Sequence, residues 1–178
     1  MGDSISAAYG LAIADGWVQL TQQKINQQTY PFSLINQSVN GETTYASLTR
    51  INSLLQKHHP ALVIIELGAN DGLNGVPPEV IKDNLRELIS RSQSAGANVL
   101  LLAMQTSHCY GDAYHDEFYR NYSALAKEMT CTYIPDILQG ISTKENLLQQ
   151  DGLHPTDKAQ PLIAKKIWPY LLPLVEVI

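Results

Sequence analysis

Ala61-Leu62-Val63-Ile64-Ile65-Glu66-Leu67 is the stretch that most narrows what this chain can fold into. A strand with one face in water alternates apolar and polar residues. This run is apolar almost throughout, so it reads as a strand buried on both faces. Such strands belong to parallel sheets covered by helices. Asn98–Met104 repeats the pattern, and Cys131–Pro135 reads as a third, shorter strand. Another short strand is expected at Phe32–Asn36.

Helical periodicity fills the intervals. A helix is expected from Asp15 to about Gln28, with Pro31 beyond it. A second starts at Thr43 or Thr44, carries Tyr45, Leu48, Ile51 and Leu55, and ends at His58-His59-Pro60. The paired histidines there suit a helix C-terminus. Pro77-Pro78-Glu79 opens a third, with Val80, Ile81, Leu85, Leu88 and Ile89 inward and Gly96 near its end. Phe118, Tyr122, Leu125 and Met129 mark a fourth. Asp136 to Gln150 is a mixed connection. A terminal helix carries Leu162, Ile163, Ile167 and Leu171, and Pro169 is expected to kink or end it. Strands alternating with helices predict an α/β domain with a parallel sheet. Sites in such sheets form at the carboxyl ends of the strands. Ser4, Gly41, Asn70 and the segment from Asp151 to His154 are candidates for that edge.

A single domain over residues 1–178 is expected, with room for a full core. A net charge of −5 and a pI near 5.4 argue against nucleic acid or an anionic membrane as partner. The apolar tail from Ile167 holds Pro169, Pro173 and Glu176, and no run approaches a membrane span, so no stable membrane insertion is expected. Gly2 meets the loose myristoylation pattern, without a polybasic stretch or second anchor to support it. Cys109 and Cys131 fall at opposite edges of the expected sheet and are not expected to bridge.

Gly2-Asp3-Ser4, leading into small residues, can seat an exposed serine nucleophile, because glycine allows a tight turn and small neighbours leave room for substrate. Asp151 and His154 stand three apart around Gly152. One turn can aim both side chains the same way, leaving one imidazole nitrogen to take a proton from Ser4. The alternative is a surface Asp-Gly turn before a His-Pro helix entry. The backbone N–H groups of Ser4 and Gly41 and the side-chain amide of Asn70 could receive an oxyanion. Equally, Gly41 could serve an unusual dihedral at a helix entry and Asn70 could cap a turn. Asp3, Asp71 and Asp151 could suggest a Mg²⁺ or phosphoryl site, but no lysine or glycine-rich phosphate cradle accompanies them, so no metal is assigned. The lipase elbow Gly-x-Ser-x-Gly is absent.

Taken in order, Gly2-Asp3-Ser4, the Gly41 loop, Gly68-Ala69-Asn70-Asp71 and Asp151-x-x-His154 resemble the four blocks of the SGNH (GDSL) hydrolases along essentially the whole chain. The longer strings Gly-Asp-Ser-x-Ser-Ala-x-Tyr, Glu-Leu-Gly-x-Asn-Asp-Gly-Leu and Asp-Gly-x-His-Pro resemble the bacterial thioesterase/arylesterase/lysophospholipase branch. The resemblance implies a flavodoxin-like three-layer α/β/α fold with a mostly parallel sheet. It implies Ser4 as nucleophile, His154 as base, Asp151 as its orienter, and Ser4, Gly41 and Asn70 as the oxyanion hole. No metal or organic cofactor is implied. The substrate would be a small acyl ester or thioester; Leu73, Val76, Pro77, Tyr110 and Tyr114 are candidate lining of an acyl groove or, equally, ordinary loop-to-core anchors. Carbohydrate O-acetyl esters, or a non-catalytic binding module on the same scaffold, are the alternatives. A periplasmic or secreted location is implied, with a cytoplasmic one left open, as is the oligomeric state. Ala69 stands where the branch often has glycine, and the loop from His108 to Tyr114 is slightly shorter than usual. Members also carry a strand immediately before Gly-Asp-Ser. This sequence shows none, and the expectation is a natural chain with an upstream strand, with or without a signal peptide.

Overall fold

The structure is a computed structural model and describes residues 1–28, 30–106 and 108–176. Three parallel strands form its sheet in the order β1 (Leu62–Glu66), β2 (Asn98–Leu102), β3 (Thr132–Ile134). Leu62 lies opposite Asn98 and Leu100 opposite Thr132. Val99 to Leu102 are all buried, as a strand covered on both faces requires. Among the described residues six α-helices surround the sheet: α1 (Trp17–Gln27), α2 (Thr44–His58), α3 (Ala69–Leu73), α4 (Pro78–Ser94), α5 (Asp112–Glu128) and α6 (Gln160–Glu176). Helix α1 packs on α6, while α2, α4 and α5 pack in series. Strand β2 touches both α4 and α6, which sandwiches the sheet between the two groups. This is the three-layer α/β fold expected.

Local chemistry places the helix ends. Thr43 accepts from the Ala46 N–H at 3.2 Å to cap α2, and His59 closes it in a left-handed conformation at φ 43°. Pro78 begins α4, where its missing N–H is no loss.

Three expectations are corrected. Helix α6 does not end at Pro169 but continues through it and Pro173. Ile163, Ile167, Trp168, Leu171 and Val175 are buried along it. At about 1.5–3 kcal/mol per buried side chain they outweigh a cost of about 3 kcal/mol per interior proline. The glycine-bounded stretch 68–72, expected as a loop, forms α3 from Ala69, with the Gly72 N–H bonded to the Gly68 carbonyl at 2.9 Å.

The strand expected at Phe32–Asn36 does not form. Segment 31–38 is held by side chains instead: Gln22 bonds the backbone of Phe32 and Leu34, the Asn36 amide donates to the Ser6 carbonyl at 2.7 Å, and Arg50 donates to the Gln37 carbonyl. An apolar groove of about 460 Å³, lined by Phe32, Leu34, Ile51, Leu55, Leu62 and Ile64 among others, separates this segment from β1. A ladder cannot form across it. Beside the groove, Met1 bonds the Ile64 carbonyl and accepts from the Glu66 N–H, and Gly2 makes a single parallel bridge to Glu66. Cys109 and Cys131 are not joined in a disulfide. Among the described residues no helix is long and apolar enough to cross a membrane.

Candidate active site

Three turns meet at the carboxyl end of β1. The first is Gly2 to Ser6. Asp3 Oδ1 accepts from the Ile5 N–H at 3.0 Å, and the carbonyls of Asp3 and Ser4 accept from Ala7 and Tyr9, each at 3.0 Å. Ser4 sits at the bend. A Cβ on Gly2 would lie 2.6 Å from Glu66 Oε2 and 2.8 Å from Ser6 Oγ, so only glycine permits this approach.

The second turn leads into α2. The Val39 N–H donates to the Gly2 carbonyl at 3.0 Å, which ties the two turns together. Gly41 follows at φ 74°, a left-handed position that a side chain would strain. Glu42 is buried and holds Arg50 through both carboxylate oxygens, at 2.6 and 2.7 Å. Asp71, reaching over from α3, accepts from the Thr44 N–H at 2.9 Å and the Thr44 hydroxyl at 2.6 Å. Its carboxylate therefore satisfies the N-terminus of α2. Burial raises the Asp71 carboxyl above its ordinary value all the same.

The third turn brings Asn70. Gly68, at φ 115°, leaves room for the Tyr122 hydroxyl, which donates to the Leu67 carbonyl at 2.7 Å. The Asn70 amide then donates to Asp3 Oδ2 and to the Glu42 carbonyl, both at 3.1 Å. Ser4, Gly41 and Asn70 are thus joined through their immediate neighbours. Among the described groups nothing accepts from the Ser4 or Gly41 N–H.

From the far end of the chain a fourth turn closes on these. Asp151 Oδ1 accepts from the N–H groups of Leu153 and His154 at 2.9 and 3.0 Å, and Gly152 takes φ 70° to make the bend. Asp151 Oδ2 lies 2.7 Å from His154 Nδ1, and His154 Nε2 lies 2.8 Å from Ser4 Oγ. Those hydrogen bonds to the ionised form bring the Asp151 carboxyl down to about 2. The Asp-Gly segment is a surface turn, and it also aims Asp151 at His154 and His154 at Ser4.

Two neighbours of this chain went unassigned in the sequence. Tyr9 lays its ring against His154 at 4.4 Å between centroids. Its place in the Gly-Asp-Ser-x-Ser-Ala-x-Tyr string was the available signal. Glu66, the single charge in the apolar run of β1, accepts from the Asp3 N–H at 3.2 Å and the Ser6 hydroxyl at 2.6 Å. Its signal was a carboxyl where only apolar residues were expected.

The candidate acyl-groove residues form one cluster. Tyr110 and Tyr114 lie 5.4 Å apart and donate to the carbonyls of Leu73 and Val76, at 3.2 and 2.6 Å. The tyrosines therefore anchor the loop that runs through Pro77 into α4, while Leu73 and Tyr110 keep exposed surface. Asp3, Asp71 and Asp151 do not assemble: Asp3 faces Asn70, Asp71 faces Thr44 and Asp151 faces His154.

A serine, an imidazole and a carboxylate stand in one hydrogen-bonded line beside a parallel α/β sheet, the arrangement that nucleophilic hydrolysis requires. The GDSL-like Lipase/Acylhydrolase family profile matches residues 1–161. The chain belongs to this family and is a carboxylic ester hydrolase. It is 40% identical over 175 residues to the Esterase TesA of Pseudomonas aeruginosa, covering 98% of this chain and 87% of that one. It is 35% identical to the Thioesterase 1/protease 1/lysophospholipase L1 of Escherichia coli K12, covering 98% and 83%. Its backbone superposes with a TM-score of 0.95 on the crystal structure of the psychrotrophic esterase EstA from Pseudoalteromonas sp. inhibited by monoethylphosphonate, at 36% identity, covering 99% and 96% of the two chains.

Proposed function

We propose that this protein cleaves acyl esters and thioesters through an acyl-enzyme on Ser4. The observation that carries the reading is the line Asp151–His154–Ser4, with contacts of 2.7 and 2.8 Å, the second between residues 150 positions apart in sequence. His154 Nε2 takes the Ser4 proton as Oγ attacks the acyl carbon, and then gives it to the leaving alcohol or thiol. Water repeats the step to release the acid. Asp151 holds the ring with Nδ1–H toward it and stabilises the imidazolium as it forms. The unpartnered N–H groups of Ser4 and Gly41 and the amide of Asn70 receive the oxyanion. Asn70 must share an N–H now given to Asp3 or Glu42. Tyr9 shields one face of the base. The exposed apolar surface of Leu73 and Tyr110, with Val76, Pro77 and Tyr114 behind it, takes the acyl chain. One domain over residues 1–178 carries the activity, and the reading includes a periplasmic or secreted location, checked by fractionation.

A serine-directed phosphonate tests the chemistry. Intact mass should rise by one adduct, mapped to Ser4, and the adduct should be lost in His154→Ala. An unmodified Ser4 in the folded wild type overturns the reading. A chain-length series of aryl esters beside acyl thioesters then defines the acyl preference.

A further inference from the structure

We propose that Glu66 is a positioning residue for this site: its carboxyl ties the turn that presents Ser4 and, through Asp3, fixes the amide of Asn70. The inference rests on the hydrolase reading above. Glu66 Oε2 is the common acceptor for the Asp3 N–H and the Ser6 hydroxyl, at 3.2 and 2.6 Å, one on each side of Ser4. Gly2 passes so close to this oxygen that a Cβ there would collide with it. Asp3 then uses Oδ1 for the Ile5 N–H and Oδ2 for the Asn70 amide, at 3.0 and 3.1 Å. One carboxyl at the end of β1 therefore governs both the nucleophile's turn and, at one remove, an oxyanion donor.

The protonation state follows from the surroundings. Glu66 is fully buried, and its Oε1 meets no donor among the described groups. An ionised carboxylate accepts only, so a buried oxygen without a donor fits the neutral acid, whose proton can go to Asp3. Burial, with the Asp3 charge next, raises the Glu66 carboxyl well above its ordinary value. Burial likewise raises Asp3 to about 6, against the lowering effects of its Ile5 hydrogen bond and of His154. Of the two carboxyls, Glu66 is the one with an oxygen that meets no donor, so the shared proton is assigned to it. Ionisation of Glu66 would place two buried negative charges side by side under Ser4. The other titratable groups facing the pair are Asp71 on α3, Tyr122 on α5, His154, and the amino group of Met1, near which lie Glu42 and Arg50.

The test compares wild type, Glu66→Gln, Glu66→Leu and Ser4→Ala by phosphonate labelling, and by kcat and KM for an aryl ester from neutral to alkaline pH. Glutamine reproduces the neutral acid, with one oxygen to accept and an N–H to offer Asp3. Glu66→Gln should keep a kcat near wild type at neutral pH, and at alkaline pH the wild-type kcat should fall while that of Glu66→Gln does not. Glu66→Leu should lower kcat by up to about 100-fold at nearly constant KM, as a small misplacement of reacting groups does. Matching pH profiles for wild type and Glu66→Gln overturn the inference even where Glu66→Leu fails to fold. So does a Glu66→Gln loss as deep as that of Glu66→Leu, or a wild-type kcat in Glu66→Leu. If wild type itself is not labelled at Ser4, the hydrolase reading falls and this inference with it. If wild type is labelled, Ser4→Ala is not, and the Glu66 variants behave in one of those ways, only this inference falls.

Discussion

Asp3 and Asp151 are the same residue type on two turns that meet at Ser4, and their carboxyls are shifted in opposite directions. Asp3 is 1% exposed, and burial raises it to about 6 despite two hydrogen bonds. The Asp151 side chain is 38% exposed and falls to about 2, because two backbone N–H groups and His154 favour its ionised form at little desolvation cost. The N-terminal turn is a buried scaffold in which carboxyls compete for protons. The C-terminal turn is an open arm whose carboxylate stays charged down to about pH 2. The difference teaches that donor count decides a carboxyl's state only where water is near; once it is buried, desolvation wins.

Breaking the open arm should cost activity and little else. Asp151→Asn keeps an oxygen for the Leu153 and His154 N–H groups but cannot hold the same imidazole tautomer. We expect kcat to fall by about 10⁴-fold, with only a small loss of thermal midpoint, because solvent screens the contribution of so exposed a side chain. A kcat within tenfold of wild type would detach Asp151 from the mechanism.

The scaffold should respond the other way. Gly2→Ala forces a methyl against Glu66 and Ser6, and overpacking of this kind costs about 1–3 kcal/mol. Urea denaturation should show that loss as a lower midpoint at unchanged m-value. An unchanged midpoint would mean the turn is loose enough to give way, and with it the account of how Ser4 is held.

The smallest effect is a difference in pH dependence. Asp3 is raised from 3.8 to about 6, so the folded chain keeps a proton that the unfolded chain releases, and its contribution to stability falls as pH rises through that interval. Asp151 is lowered from 3.8 to about 2, so its contribution is present above 3.8 and is lost as pH falls through about 2. Unfolding free energies of Asp3→Asn and Asp151→Asn, each subtracted from wild type across pH, should slope with opposite signs in these separate windows. Slopes of one sign, or none, would dissolve the contrast.

Much of this was legible before any coordinates. The uninterrupted apolar runs named the parallel strands, because a strand buried on both faces has no polar positions to show. The four blocks marked the site, because tight turns and nucleophile geometry demand particular residues locally. Segment 31–38 was misread because its composition suits a strand, while pairing depends on what stands across the groove. Helix α6 does not end at Pro169 because the burial of Ile163, Ile167 and Leu171 against α1 and the sheet is a long-range effect that local propensity cannot weigh. The roles of Glu66 and Tyr9 were missed because their partners lie 60 and 145 positions away.

The sequence by itself determined the order and type of the strands, most of the helix boundaries and the residues that could form the site. Those follow from periodicity, caps and turn chemistry acting over a few residues. Only the tertiary structure decided that Ser4 and His154 meet at 2.8 Å, that Glu66 lies beneath the Gly2–Ser6 turn, and that Asp3 and Asp151 hold their protons so differently. Those depend on burial and on the neighbours each charge meets, and both are set by chain packing at long range.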